Sequence, residues 1–125
     1  MREIKLRGKA INRSGWLIGD YRCYGKKVWI VPFGEDPGVD AHRVDPKTVG
    51  EYTGLHDKNE KEIFEGDILN SHFIDACYVI EWNDSSASWF PRELKLTGTQ
   101  YGTTWKDRII KDKIIGNIYD NPELL

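Results

Sequence analysis

The sequence predicts a mainly β protein with little helix, in which an N-terminal antiparallel meander packs against a small C-terminal β-barrel. Three observations predict it. Apolar residues recur with period two, as where Ile4, Leu6, Gly8 and Ala10 alternate with Lys5, Arg7 and Lys9, which is the repeat of a half-buried strand. Twelve glycines and five prolines are scattered along the chain, which suits many short strands joined by tight turns. No stretch keeps a helical period beyond a turn or two.

The 125 residues suffice for one domain, or for a barrel with an appended lobe, and such a chain buries about two-thirds of its unfolded surface. The division expected is a meander with its linker over 1–47 and a barrel over 48–125, with a single compact domain as the alternative. No apolar run approaches the roughly 18 residues of a membrane span and no signal-peptide pattern opens the chain, so a cytoplasmic protein without a membrane partner is expected.

In order, residues 2–11 make the first strand and Asn12-Arg13-Ser14-Gly15 a turn. Trp16–Tyr21 returns, and Lys27–Val31 forms a third strand that Pro32 stops. Residues 34–46, rich in aspartate, glycine and proline, read as a loop. Further on, Cys77–Trp82 alternates, with Tyr78, Ile80 and Trp82 on one side. Trp89-Phe90 starts a return in which Pro91 marks an edge strand or a bulge. Thr97–Thr104 is a glycine- and threonine-rich connection. Ile109-Ile110 and Ile114-Ile115 flank a charged tip, Gly116–Tyr119 is the last strand, and Asn121-Pro122 starts a helical turn. Leu124 and Leu125 predict a C-terminus that is tied down.

Between these halves lies Tyr52-Thr53-Gly54-Leu55-His56-Asp57-Lys58-Asn59-Glu60-Lys61-Glu62-Ile63-Phe64-Glu65-Gly66-Asp67-Ile68-Leu69. Asp57 and Asn59 bond their own backbone readily and tolerate a left-handed conformation, so a polar tip between Leu55 and Ile63-Phe64 reads as a hairpin. Glu60 stands where glycine is most favourable. Gly66 beside Asp67 redirects the chain into another strand, because glycine enters positive φ without steric penalty.

These motifs, together with the closing Gly116-Asn117-Ile118-Tyr119-Asp120-Asn121-Pro122-Glu123-Leu124-Leu125, resemble the YopX family of small phage and prophage proteins. The opening Met1–Gly8 is similar too. The departure is Glu60, where the family commonly has glycine. The resemblance implies an SH3-like barrel and a phage origin, and it carries no established activity to any residue.

Chemistry-bearing patterns are sparse. Glu62, Glu65 and Asp67 form the densest acidic group, and a solvated edge with Asp67 bonding turn amides explains it better than an acid/base or metal site. Ser85, Ser86 and Ser88 lack a nucleophile-elbow setting, and no phosphate-binding glycine loop is present. Cys23 and Cys77 stand far apart, without a CxxC partner or a nearby histidine, and are expected as buried thiols. His42, His56 and His72 are isolated. The expectation is a non-enzymatic protein with no catalytic residue, metal or other cofactor.

The net charge of −2 hides an asymmetry. Residues 1–34 hold Arg2, Lys5, Arg7, Lys9, Arg13, Arg22, Lys26 and Lys27 against Glu3 and Asp20 alone, whereas residues 35–91 are strongly acidic. Lys5, Arg7, Lys9, Arg13, Arg22, Lys26, Lys27 and Trp29 are therefore a candidate nucleic-acid face, with Trp16, Tyr21 and Tyr24 near enough in sequence to stack on single-stranded bases. The plain alternative is a wet outer face over an aromatic core, and a pI of 5.9 lies below the basic footprint of nucleic-acid domains. A second candidate surface is an aromatic groove of Trp82, Trp89 and Trp105, of the kind that docks extended peptides. Partners consistent with the sequence are a host or phage protein, a second copy of the chain through exposed strand edges, or single-stranded nucleic acid.

Overall fold

The computed structural model describes residues 4–36, 38, 40–71, 77–84, 88–93, 109 and 111–125. Among them the structure is mainly strand, with two three-residue 3-10 turns, Pro46–Thr48 and Pro122–Leu124. The strands form two antiparallel sheets, and no closed barrel is present among the described residues. The mainly β fold with little helix is as the sequence indicates, and the strands described stand as two sheets. The chain divides into two compact units, Met1–Tyr52 and Thr53–Leu125.

The first unit contains β1 (Leu6–Lys9), β2 (Trp16–Tyr24), β3 (Lys27–Pro32), β4 (His42–Val44) and the start of β5 (Gly50–His56). Their order is β4-β3-β2-β1-β5. The meander read from the sequence is present, with β2 running on to Tyr24. The strand β4 was not legible, because it is three residues long and only Val44 is apolar. That valine is nevertheless fully buried. A bridge between Ala10 and Val44, with Ile11 N–H donating to the Arg43 carbonyl at 3.0 Å and Asp45 N–H to the Lys9 carbonyl at 2.9 Å, ties β4 back to the end of β1. The sheet therefore coils around one of its faces. That face carries Leu17, Val28, Ile30 and Val44, with Leu6, Ala10 and Val49 packed against them. The 3-10 turn before β5 starts at Asp45, whose carboxylate accepts from Lys47 N–H at 3.0 Å. Such a side-chain acceptor satisfies a donor that the turn leaves open.

The second unit holds the rest of β5, then β6 (Glu62–Phe64), β7 (Asp67–Asn70), β8 (Cys77–Asn83), β9 (Ser88–Glu93) and β10 (Lys113–Asn117). The second half of β5 neighbours β6, and the other four strands lie in the order β10-β7-β8-β9. Ile63, Leu69, Tyr78, Ile80, Trp89 and Ile109 form the core, with Leu55 and Ile114 against it. Burial of such side chains is worth about 1.5–3 kcal/mol each. Pro91 lies in β9, at the edge of its sheet, where a missing N–H breaks no ladder.

The last strand ends earlier than expected, at Asn117, because the Asn117 side-chain carbonyl accepts from Tyr119 and Asp120 N–H and turns the chain. Pro122 opens the short terminal 3-10 turn, as the sequence indicates. Leu125 is 54% exposed, so its side chain does not anchor the tail; the terminal turn is joined to β10 through Asn121, whose N–H donates to the Asn117 carbonyl at 2.9 Å and whose side-chain carbonyl accepts from Asn117 N–H at 3.2 Å. The expected connection 97–104 lies outside the described residues, as do Leu94 and Leu96.

Candidate binding surface

Strand register decides which side chains share a face, because residues directly opposite in an antiparallel pair point the same way and alternate residues point the other way. Lys9 pairs with Trp16 and Arg7 with Ile18. Along the next pairing Asp20 faces Val31, Arg22 faces Trp29 and Tyr24 faces Lys27, and Trp29 faces Arg43 in turn. Lys5 lies opposite Tyr52, whose N–H donates to the Lys5 carbonyl at 2.9 Å. One face of the first sheet therefore carries Lys5, Arg7, Lys9, Arg22, Lys27 and Arg43, interleaved with Trp16, Tyr24, Trp29 and Tyr52. Asp20 is its acidic member among these paired positions. The opposite face is the apolar one around which the sheet coils.

This outer face is not uniform. Lys5 and Arg7, expected as members of a solvated row, are each only 9% exposed. The Lys5 ammonium sits 4.9 Å from the centre of the Tyr52 ring and the Arg7 guanidinium 4.8 Å from that of Trp16. The physical reason is that β1 is an inner strand, so long basic side chains lay their stems along the neighbouring aromatic rings. Lys9 is half-buried. At the other end, Arg22, Tyr24, Lys27 and Arg43 are exposed and Trp29 is half-buried, with Tyr24 exposed to 83%. Here a groove of about 450 Å³ opens, lined by Arg22, Cys23, Tyr24, Trp29 and Ala41.

Of the other candidate residues, Lys26 stands exposed in the two-residue turn between β2 and β3. Arg13 is exposed in the loop before β2, at the opposite end of that strand. The structure thus gathers Arg22, Lys26, Lys27 and Trp29 and separates them from Lys5, Arg7 and Arg13. Arg43 belongs to the same surface and has no local sequence signal, because residues 34–46 read as a loop. Cys23 is an exposed free thiol rather than a buried one, and Cys77 is half-buried. Tyr21 has its phenol held above the usual value of 10.0 by a hydrogen bond with Cys23, then by burial and the charge of Cys23.

The proposed tryptophan groove is divided. Trp82 and Trp89 face each other across β8 and β9 with ring centres 5.0 Å apart in an edge-to-face arrangement. Trp82 is 41% exposed, whereas Trp89 is 5% exposed and belongs to the core. Trp105 and His72 lie outside the described residues.

The central hairpin has the turn chemistry its sequence indicates. Asp57 Oδ1 accepts from Asn59 N–H at 2.8 Å and from Lys61 N–H at 2.9 Å, while Oδ2 accepts from Ile114 N–H at 3.1 Å. Burial raises the Asp57 carboxyl, but the Ile114, Lys61 and Asn59 N–H groups and the Lys61 charge outweigh it, so the net direction is below 3.8. Glu60 adopts φ 63°, the left-handed position that favours glycine in a hairpin of this kind. Gly66 has φ 90°, and Asp67 Oδ2 accepts from Phe64 N–H at 2.8 Å. Asp67, within the acidic group around Gly66, thus serves the turn. Among the described residues no three His, Cys, Asp or Glu side chains are grouped to hold a metal, and no helix is long and apolar enough to cross a membrane.

The two antiparallel sheets make this a small, mainly β protein. Residues 17–125 match the YopX protein family, and the chain belongs to that family. The match begins at Leu17, so the opening residues, which also looked similar, lie outside it. Among solved structures the chain is similar to protein EF1440 from Enterococcus faecalis. The TM-score is 0.60 and the identity 23%, over 100% of this chain and 99% of that one. At this identity the likeness concerns the fold. No curated protein matches the chain.

Proposed function

We propose that this YopX protein, of phage or prophage origin, is a binding module without a reaction centre. Its contact surface is the exposed end of the outer face of the first sheet, and its partner is polyanionic. The observation that carries the reading is the register that brings Arg22, Lys27 and Arg43 to one face beside Trp29. A local cation excess on a chain of net negative charge attracts an anionic partner while the rest of the surface repels it, which gives orientation as well as affinity. The test is retention on immobilised heparin at low salt. Wild type is retained and eluted by salt, whereas the double variant Arg22→Glu/Lys27→Glu, with unchanged melting, flows through. Equal retention of the two proteins would defeat the reading.

A second reading, contact with a protein partner or with a second copy, is favoured by the exposed apolar side chains Ile18, Tyr21 and Trp82. Self-assembly predicts a mass in light scattering that rises with concentration and falls for Ile18→Ser. A monomer mass at all concentrations removes that part of it.

A further inference from the structure

We infer that the polyanion taken by this face is a single strand of nucleic acid, with a base stacked at Tyr24 and Trp29 and the backbone phosphates at Arg22, Lys27 and Arg43. The inference rests on the binding surface proposed above and sharpens it. Arg22, Trp29 and Arg43 form one row across β2, β3 and β4. With strands about 4.7–4.9 Å apart, the half-buried Trp29 stands between the positions of Arg22 and Arg43. Tyr24 and Lys27 form the next row on the same face, about 6.6–6.8 Å along the strands. Tyr24 and Trp29 line the same groove, with Arg22 at its wall.

Each feature has a use in holding a single strand. Aromatic faces stack on any base, and neighbouring cations neutralise the phosphates on either side. A duplex keeps its base faces stacked inside and would use only the cations. An acidic peptide would likewise have no need of an 83% exposed Tyr24, a ring that protein stability alone gives no reason to place in water. The turn adds the exposed Lys26 to the positive field.

The experiment uses the whole protein and fluorescence anisotropy with a labelled oligothymidylate, an abasic strand of equal length and charge, and a duplex of the same length. Polyglutamate serves as competitor. The base-bearing strand is expected to bind at least about fivefold more tightly than the abasic strand and to quench tryptophan fluorescence. Both affinities should fall with added salt. Tyr24→Ala, a change at an exposed side chain, should remove the preference and leave abasic binding within about twofold. Equal binding of base-bearing and abasic strands, or a preference for duplex, overturns the single-strand inference and leaves the polyanion surface standing. Displacement of the strand by an equal charge concentration of polyglutamate also overturns it, in favour of an acidic protein. Binding of none of these probes overturns both the inference and the surface it rests on.

Discussion

The two units of the chain differ in where they place their charges. Among the described residues of 53–125 the buried charged side chains are the carboxylates Asp57, Asp67 and Asp112, turned on the protein itself. Asp57 and Asp67 accept backbone N–H groups, and Asp112, 1% exposed, accepts from the Tyr78 hydroxyl at 2.5 Å. In residues 1–52 Asp36 and Asp45 also accept turn amides, but Lys5 and Arg7 lie over aromatic rings on the outer face of a sheet and Arg22, Lys27 and Arg43 are open to water on that face. The difference follows from the groups. A carboxylate is a compact acceptor that can gather several amides, so it suits the fixing of turns. Guanidinium and ammonium heads on long stems cannot satisfy backbone carbonyls so economically, and they remain where an outside anion can reach them.

Removing a carboxylate should therefore damage the fold more than any surface cation does. Asp57→Ala leaves the Asn59, Lys61 and Ile114 N–H groups without their acceptor and is expected to cost about 3 kcal/mol or more, read from urea midpoints. A loss below about 1 kcal/mol would show that the turn does not depend on it. The same group gives a pH signature. Its folded pKa lies below the ordinary 3.8, so its stabilisation is complete above that value and is lost as pH falls through the folded pKa. Wild type should lose its advantage over Asp57→Asn below about pH 3.8, and parallel stability curves for the two proteins through the acid range would contradict this.

The first unit has a different weak point, a close backbone approach. Gly19 lies opposite Pro32, and a Cβ there would strike the Val31 carbonyl oxygen. Since the neighbour is backbone rather than a flexible side chain, Gly19→Ala must shift a strand and should cost about 1–3 kcal/mol. Amide exchange then locates the damage: protection should fall in β2 and β3, while β7 and β8 keep theirs. Uniform loss across both units would mean that they unfold as one, and the contrast between them would have no thermodynamic meaning.

What was legible in the sequence cuts across the two units. The strands from Leu6 to Pro32, the Asp57–Lys61 turn and the strand from Cys77 carry their signals locally, in alternation and in turn residues. The short strand at His42–Val44 does not, since its place is set by Val44 reaching a core built from distant residues. The solvated row Lys5-Arg7-Lys9 was read from alternation alone. Alternation says which side a residue takes, not whether a ring from the next strand covers it, and so the burial of Lys5 and Arg7 was out of reach. Asp112 was likewise read as part of a charged tip, because nothing near it in sequence announces Tyr78.

The smallest expected effect tests the turn that the sequence marks most clearly. Glu60 holds φ 63°, a conformation that costs a residue with a Cβ about 1–2 kcal/mol. Glycine removes that cost but adds chain entropy to the unfolded state, worth about 0.4–1 kcal/mol. Glu60→Gly should thus raise stability by about 0.5–1 kcal/mol, one of few glycine substitutions to do so. Gly66→Ala, at φ 90° and with Tyr119 3.2 Å from the added Cβ, should lower it. Opposite signs in paired thermal melts would place both residues in the left-handed region. A loss for Glu60→Gly would mean that the Glu60 side chain contributes more to the folded state than its backbone strain subtracts.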